Sequence, residues 1–563
     1  MPHHGGFTGW RIGLNPATSD RSPLKLYFSR NCITMAKKVL LLGDEAYAQG
    51  AIDAGASGCY AYPGTPSTEI LEYFQTSPVA AERNLHREWS CNEKAAMEEA
   101  IGASYMGHRA IACMKHVGLN ACADGFMNSA ITGANGGLLV TVADDPSMHS
   151  SQNEQDSRFY ANFAMIPALE PSSQQEAYDM AAYGFELSER FGTPVLVRLT
   201  TRLSHSRGDV AVAGQRRECN ATRFPAEARR FTLLPAIAQK NYRALCDKQP
   251  AFLQESESSP FNCYFDGADK SLGIIASGIA YNYVMEAFGG KCPHPLLKIS
   301  QYPLPAAQLR RLMDACAKIL VVEEGMPFIE GLLRTPLGDP RITGRLSGAL
   351  PRCGELNTRL VQIACGLPVP ELPENSAMLK PRPPRLCDGC PHADSYRALN
   401  AAIAGFGDDA RVFGDIGCYT LGALPPYDAI STCVDMGASV TLAKGAADCG
   451  LKYAIAVIGD STFTHSGMTG LLDAIWEKSP ITVLILDNLT TGMTGGQDSI
   501  ACGRLEEICA GLGVPREHIR IITPLPSRHE ENTAIMREEI AYRGVSVIIA
   551  RRECIQTLRR KHK

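Results

Sequence analysis

The chain has 563 residues, a formal net charge of −4, and 45% hydrophobic and 20% charged residues, an ordinary globular balance. No apolar run nears the roughly eighteen residues that a membrane-spanning helix needs, and neither the net charge nor any basic stripe favours nucleic acid. Length alone suggests about three or four domains. The 20 cysteines are scattered through apolar segments rather than framed as in a small disulfide-bonded domain, which predicts a reducing, cytoplasmic setting.

Residues 1–34 carry four basic residues and one acid, with no apolar core pattern. A basic, acid-poor leader can be a transit peptide. No amphipathic helix is evident, so residues 1–35 read as a mis-assigned start or a disordered extension. From Val39 to Arg202, short apolar runs alternate with helical patterns, which predicts a doubly wound parallel sheet over 36–205. Residues 206–270 break that alternation and read as a partly helical connector. Ser271–Ala280 restarts an α/β pattern that runs through Glu323 and Glu324, both read as structural acids. A third domain over 271–370, a Pro-rich linker over 371–385 and a last domain over 386–563 follow.

Several loops in this pattern have chemical potential. The run Tyr62-Pro-Gly-Thr-Pro-Ser-Thr-Glu69 offers hydroxyls before a helix, where Ser67 or Thr68 also suits plain N-capping. Glu93 opens an alanine-rich helix, where an acid also complements the helix dipole. Lys115 and His116 follow a strand, and Asp144–Arg158 is a long polar loop after another. Cys387 and Cys390 form a Cys-x-x-Cys pair followed by Pro and His392, which suits zinc, redox thiols or an iron–sulfur cluster.

The richest stretch is Tyr453–Gln497. An apolar strand ends at Gly459-Asp460, a helical pattern follows, and a second apolar strand ends at Asp487-Asn488. Asp460 and Asn488 are 28 positions apart (488 − 460), each at the carboxyl end of a parallel strand, where open α/β sheets bind ligands. A hard carboxylate, an amide oxygen and a loop carbonyl near Thr490 suit magnesium on a diphosphate. Gly459 and the amides of Ser461 and Thr462 lie at a helix start, a ready anion site.

This pattern resembles the thiamine diphosphate enzymes, whose signature begins Gly-Asp-Gly and ends Asn-Asn about thirty residues on. The copy departs twice, with Ser461 for the third glycine and Asp487 for the first asparagine. Those departures, with the runs at 462–467 and 490–497, are similar to the α subunits of indolepyruvate:ferredoxin oxidoreductases, over about residues 36 to 555.

The resemblance implies two doubly wound thiamine diphosphate-binding domains, of pyrimidine type and pyrophosphate type, with a transketolase C-terminal-like domain between them. The cofactor is expected between the Glu93 and Asp460 domains, across a dimer of the α chain. The family places an activating glutamate where Glu93 stands, against the aminopyrimidine, and a hydroxyl of the Thr65 loop on the substrate carboxylate. Lys115 and His116 are expected to face the 2-oxo acid. Met436 matches the apolar wedge beneath the thiazolium, and the Gly417-Cys418 loop and His392 are expected to line the pocket. Related oxidoreductases hold a [4Fe-4S] cluster on two paired cysteines, one further along and a distant fourth, which makes Cys387, Cys390, Cys418 and Cys502 the candidates, with a structural or pocket-lining role for them as the alternative.

The expected reaction is oxidative decarboxylation of an aryl 2-oxo acid to an acyl-CoA, with electrons passed to ferredoxin and a smaller β subunit as partner. The family's ferredoxin-like module, with its closely spaced cysteine runs, has no counterpart in this sequence. Two alternatives stay open: a non-oxidative decarboxylase or carboligase, and a catalytically silent scaffold subunit.

Overall fold

Largely apolar strand sequences build three mainly parallel sheets. The computed structural model describes residues 37–213, 222–223, 227–372, 375–380 and 382–561; the expected leader at 1–35 lies outside them. The N-terminal sheet has the order Gln301–Tyr302, Ala168–Leu169, Val195–Thr200, Leu138–Asp144, Ala110–Lys115, Gly58–Ala61. Val195–Thr200, Leu138–Asp144 and Ala110–Lys115 are buried at every position, as parallel strands covered by helices on both faces must be. Their parallel register aligns Lys115 with Ala143 and Asp144 with Thr200. The polar strand ends therefore gather along one edge.

The expected first strand does not join this sheet. Lys37–Leu42 pairs antiparallel with Arg207–Val212 as a separate ribbon. Leu40 is 57% exposed, and a strand wet on one face does not suit the interior of a doubly wound sheet. The connector supplies that second ribbon strand and a 23-residue helix, Pro235–Glu257.

The middle sheet runs Ile342–Thr343, Lys318–Val322, Leu272–Ser277, Leu296–Ile299, Cys263–Phe265, with only the last strand antiparallel. It is joined to the N-terminal sheet in two ways. Gln301–Tyr302 adds antiparallel to Ala168–Leu169. Arg158, Arg198 and Arg345, all buried, meet Asp144, Asp156, Glu170, Glu323 and Glu324 in one ion-pair network. Glu323 also accepts the backbone N–H groups of Phe328, Ile329 and Glu330, so it caps the helix Phe328–Arg334. Both glutamates are thus structural.

The C-terminal sheet is all parallel: Ala410–Gly414, Tyr453–Gly459, Ile481–Asp487, Ser546–Arg551, Ile519–Ile522. No helix among the described residues is long and apolar enough to cross a membrane.

Candidate active site

The carboxyl ends of the N-terminal and C-terminal sheets face one another across a cleft. Tyr62–Thr65, Glu93, Lys115 and Val117 line one wall, and Gly417, Cys418, Met436, Gly459–Thr462 and Asn488 line the other. Both walls come from a single chain, which corrects the expectation of a cleft formed across a dimer.

On the C-terminal wall, the strand Tyr453–Gly459 delivers Asp460 to the mouth of the following helix. Asp460 is 2% exposed, and its Oδ2 has no hydrogen-bond partner among the described residues. Burial pushes its carboxyl up to about 7, with the Asp487 charge adding to the effect. Such an orphaned oxygen calls for a cation or a proton. The neighbouring strand delivers Asn488, whose Oδ1 accepts from Thr490 N–H at 3.3 Å and whose Nδ2 lies 3.3 Å from His392 Nε2. Burial, with Arg552 adding, pulls His392 down to about 4, so its imidazole is neutral. A neutral imidazole accepting from the amide Nδ2 leaves Oδ1, with its second lone pair, as the amide's ligand atom. Asp460 and Asn488, with Thr490 beside them in the cleft, offer oxygen donors of the kind that fit a diphosphate-bound magnesium ion.

The floor is shaped by tight contacts. A Cβ on Gly459 would lie 2.6 Å from the Tyr419 ring, and one on Gly417 would lie 2.2 Å from it. Tyr419 in turn donates to Asp415, which also accepts from Gly437 N–H at 3.1 Å and Ser439 Oγ at 2.7 Å. Asp415 thereby holds the turn that presents Met436 to the cleft. Gly437 has φ +93°, which favours glycine directly after that methionine.

On the N-terminal wall, Ser67 Oγ donates to Gly64 C=O at 2.7 Å, and Gly64 N–H donates to Thr68 Oγ1 at 3.1 Å. These hydroxyls brace the loop that carries Thr65; Ser67 makes no capping bond to the helix. Asn92 supplies the cap of the next helix, and Glu93 is its first residue. Glu93 Oε2 lies 2.7 Å from His465 Nε2, on the opposite wall. Lys115 Nζ donates to Ser150 C=O at 2.7 Å. Burial pulls the Lys115 ammonium down to about 8, against the opposing pull of Asp145 and Glu93.

His116 does not reach the cleft. Its Nε2 lies 3.1 Å from the Asn153 carbonyl, so it tethers the 144–158 loop instead. The side chain of residue 115, the last of its strand, takes the cleft-facing position, and the following residue turns away into the helix His116–Ala121.

Of the expected cysteines, Cys418 borders the cleft. Cys418 Sγ lies 3.3 Å from His392 Nε2. Burial pushes the Cys418 thiol up, with the charges of Cys390, Cys554, Asp460 and Cys387 adding to the effect. Cys387 and Cys502 are both exposed, Cys390 is buried, and Cys554 is a further, half-buried thiol that comes near Cys418. The reason is topological. Ser546–Arg551 lies beside Ile481–Asp487 in the sheet, so Arg552 N–H bonds Asp487 C=O and Cys554 N–H bonds Asn488 C=O. Cys502 follows the Thr490–Asp498 hairpin in the chain. Among the described residues, no three His, Cys, Asp or Glu side chains are drawn together closely enough to hold a single metal ion. His465 and Cys554 are the residues that sequence reasoning missed.

Comparison with known proteins agrees with this geometry. Residues 49–243 match the family described as "Pyruvate flavodoxin/ferredoxin oxidoreductase, thiamine diP-bdg", and residues 415–548 match "Thiamine pyrophosphate enzyme, C-terminal TPP binding domain". Indolepyruvate oxidoreductase subunit IorA of Archaeoglobus fulgidus is 39% identical over 546 residues, covering 92% of this chain and 86% of that one. The subunit of the same name from Pyrococcus abyssi is 38% identical over 564 residues, covering 92% and 86%. That from Methanothermobacter thermautotrophicus is 38% identical over 550 residues, covering 92% and 87%. Since both cofactor-binding families align with the two walls of the cleft and these relatives are matched over most of their length, this chain belongs to the indolepyruvate oxidoreductase subunit IorA family of thiamine diphosphate-dependent 2-oxo acid oxidoreductases.

Proposed function

We propose that this chain is the catalytic α subunit of a cytoplasmic enzyme that converts aryl 2-oxo acids such as indolepyruvate to acyl-CoA, with ferredoxin as electron acceptor and a smaller β subunit as partner. The balanced reaction takes a 2-oxo acid and coenzyme A to the acyl thioester, carbon dioxide, a proton and two electrons. The observation that carries the reading is the single cleft with Glu93 on one wall and Asp460 and Asn488 on the other. Apolar lining from Val117, Ile416, Met436, Leu486 and Met493 supports an aryl substrate. In this reading, residues 36–205 serve the pyrimidine and 386–563 the pyrophosphate, joined through 206–270, 271–370 and the linker 371–385.

Bound thiamine diphosphate supplies a nucleophilic carbon and an electron sink for the decarboxylation. Asp460, Asn488 and the Thr490 carbonyl would hold magnesium, while Gly459, Ser461 and Thr462 offer backbone N–H groups to the phosphates. Glu93 presents a carboxylate oxygen to the pyrimidine side of the cleft, where it can accept and return a proton. Met436 fills the floor as an apolar wedge beside the Gly417-Cys418 loop. Thr65 and Lys115 meet the substrate carboxylate. Cys387, Cys390, Cys418 and Cys554 would hold a [4Fe-4S] cluster by the thiolate chemistry that suits such clusters.

Anaerobic assay of the purified enzyme tests this reading. Indolepyruvate and coenzyme A together should reduce ferredoxin, and iron and inorganic sulfide should copurify and fall in Cys554→Ser but not in Cys502→Ser. Carbon dioxide release without coenzyme A, ferredoxin reduction or iron would point to a non-oxidative decarboxylase instead.

Lys115 gives a pH signature. Its ammonium is present below about 8 and lost above it, so carboxylate pairing weakens as pH rises. KM for the 2-oxo acid should climb as pH rises through that point and level off about tenfold or more higher, because only the charged amine pairs with the substrate. Lys115→Met should have a KM raised about tenfold or more at neutral pH, as loss of a charge-assisted hydrogen bond costs, and no such climb. Initial rates at varied pH measure both.

A further inference from the structure

Glu93 is gripped from the far wall by a histidine that does not line the cleft. His465 Nε2 and Glu93 Oε2 are 2.7 Å apart across 372 positions of sequence, and the side chains are only 6% and 7% exposed. The local backbone explains the aim. Phe463–Gly467 is a π-helical turn in the helix that Asp460 begins, and such widened turns rotate a side chain off its α-helical direction.

The surroundings hold both partners. Asn92 Nδ2 donates to His465 C=O at 2.9 Å, while Asn92 Oδ1 accepts from Ala95 N–H and caps the helix that Glu93 opens. One asparagine thus ties the histidine's backbone to the glutamate's helix. The Tyr62 ring meets the imidazole edge-on at 4.8 Å. His465 Nδ1 lies 2.7 Å from Ser466 Oγ. A Cβ on Gly118 would approach Glu93 to 2.6 Å, so the glutamate has no room to swing that way.

We propose that His465 is a positioning residue for Glu93. An ionised carboxylate only accepts hydrogen bonds, so the pair requires a proton on Nε2, and Nδ1 then accepts from Ser466. The bond fixes the plane of the carboxylate and occupies Oε2, leaving Oε1 for the pyrimidine side of the cofactor. Because the histidine belongs to the C-terminal wall, Glu93 is aligned only when the two walls are closed together. This inference rests on the reading of Glu93 as the acid that serves the cofactor.

The test compares Glu93→Gln, His465→Ala, His465→Gln and the double variant Glu93→Gln/His465→Ala. It reads kcat, KM for indolepyruvate, thiamine diphosphate affinity by calorimetry, and the thermal midpoint without cofactor. Positioning predicts that His465→Ala lowers kcat about 100-fold with KM within twofold, the pattern of a lost transition-state interaction. His465→Gln keeps an N–H donor and should recover kcat to within about fivefold of wild type. In the Glu93→Gln background, His465→Ala should cost less than about twofold in kcat and in cofactor affinity, because a residue acting through another is non-additive with it. Additive losses overturn the proposal, as do a glutamine variant no better than the alanine one and a kcat that simply follows the thermal midpoint. Wild-type kcat in Glu93→Gln overturns the reading of Glu93 and the proposal with it. Loss there, with His465→Ala unaffected, overturns the positioning role alone.

Discussion

Glu93→Gln is expected to lower kcat by about 10²–10⁴-fold, the usual worth of a placed acid–base group. The substitution is nearly isosteric, and the side chain sits in a slot bounded by Gly118 and His465. The amide can keep a hydrogen bond to the histidine but cannot exchange a proton. Cofactor affinity should therefore fall far less than kcat, because the proposed diphosphate site is on the opposite wall. Steady-state kinetics and calorimetry on the same preparation separate the two effects. Loss of affinity without loss of saturated turnover would make Glu93 a binding group and not an acid–base group.

The second large effect lies away from the cleft. Arg198 has no exposed side-chain surface and meets Asp144 at 2.6 Å, Glu170 at 2.6 Å and Asp156 at 3.3 Å. It also donates to the Glu324 carbonyl at 3.0 Å, which ties the N-terminal sheet to the middle one. The network holds more acids than arginines. Burial already pushes Asp144 and Glu323 upward and Glu324 to about 7, while Arg158 and Arg198 hold Asp156 below its usual range. Arg198→Met removes the cation and leaves these carboxylates uncompensated, which costs about 3–5 kcal/mol for a broken buried pair. At roughly 2–4 °C per kcal/mol for a large domain, the thermal midpoint should fall by about 10 °C. Scanning calorimetry measures it. A shift within a degree or two would show that the acids take up protons at little cost.

The parts legible in sequence were those set by strand order and period. Tyr453–Gly459 and Ile481–Asp487 read as buried strands because both faces are apolar, and that placed Asp460 and Asn488 side by side. What escaped depended on geometry that spacing does not encode. A π-turn aims His465, whereas a regular helix from Asp460 would point residue 465 elsewhere. Cys554 was hidden because its neighbours come from sheet order, 546–551 beside 481–487, and not from proximity in sequence. Lys37–Leu42 looked like a sheet strand on composition, and only pairing with Arg207–Val212 shows it to be a ribbon. His116 shares its environment with Lys115 in sequence, but the strand ends between them and they face different ways.

The account depends on one chain closing a complete cofactor cleft with Asp460 at its metal end. The most direct measurement is calorimetric titration of the cofactor-depleted chain with thiamine diphosphate in the presence of magnesium. The account predicts one site per chain, no binding without a divalent cation, and affinity weakened at least about 100-fold in Asp460→Ala, since a metal ligand and its ion are lost together. Half a site per chain, or unchanged affinity in Asp460→Ala, would contradict it.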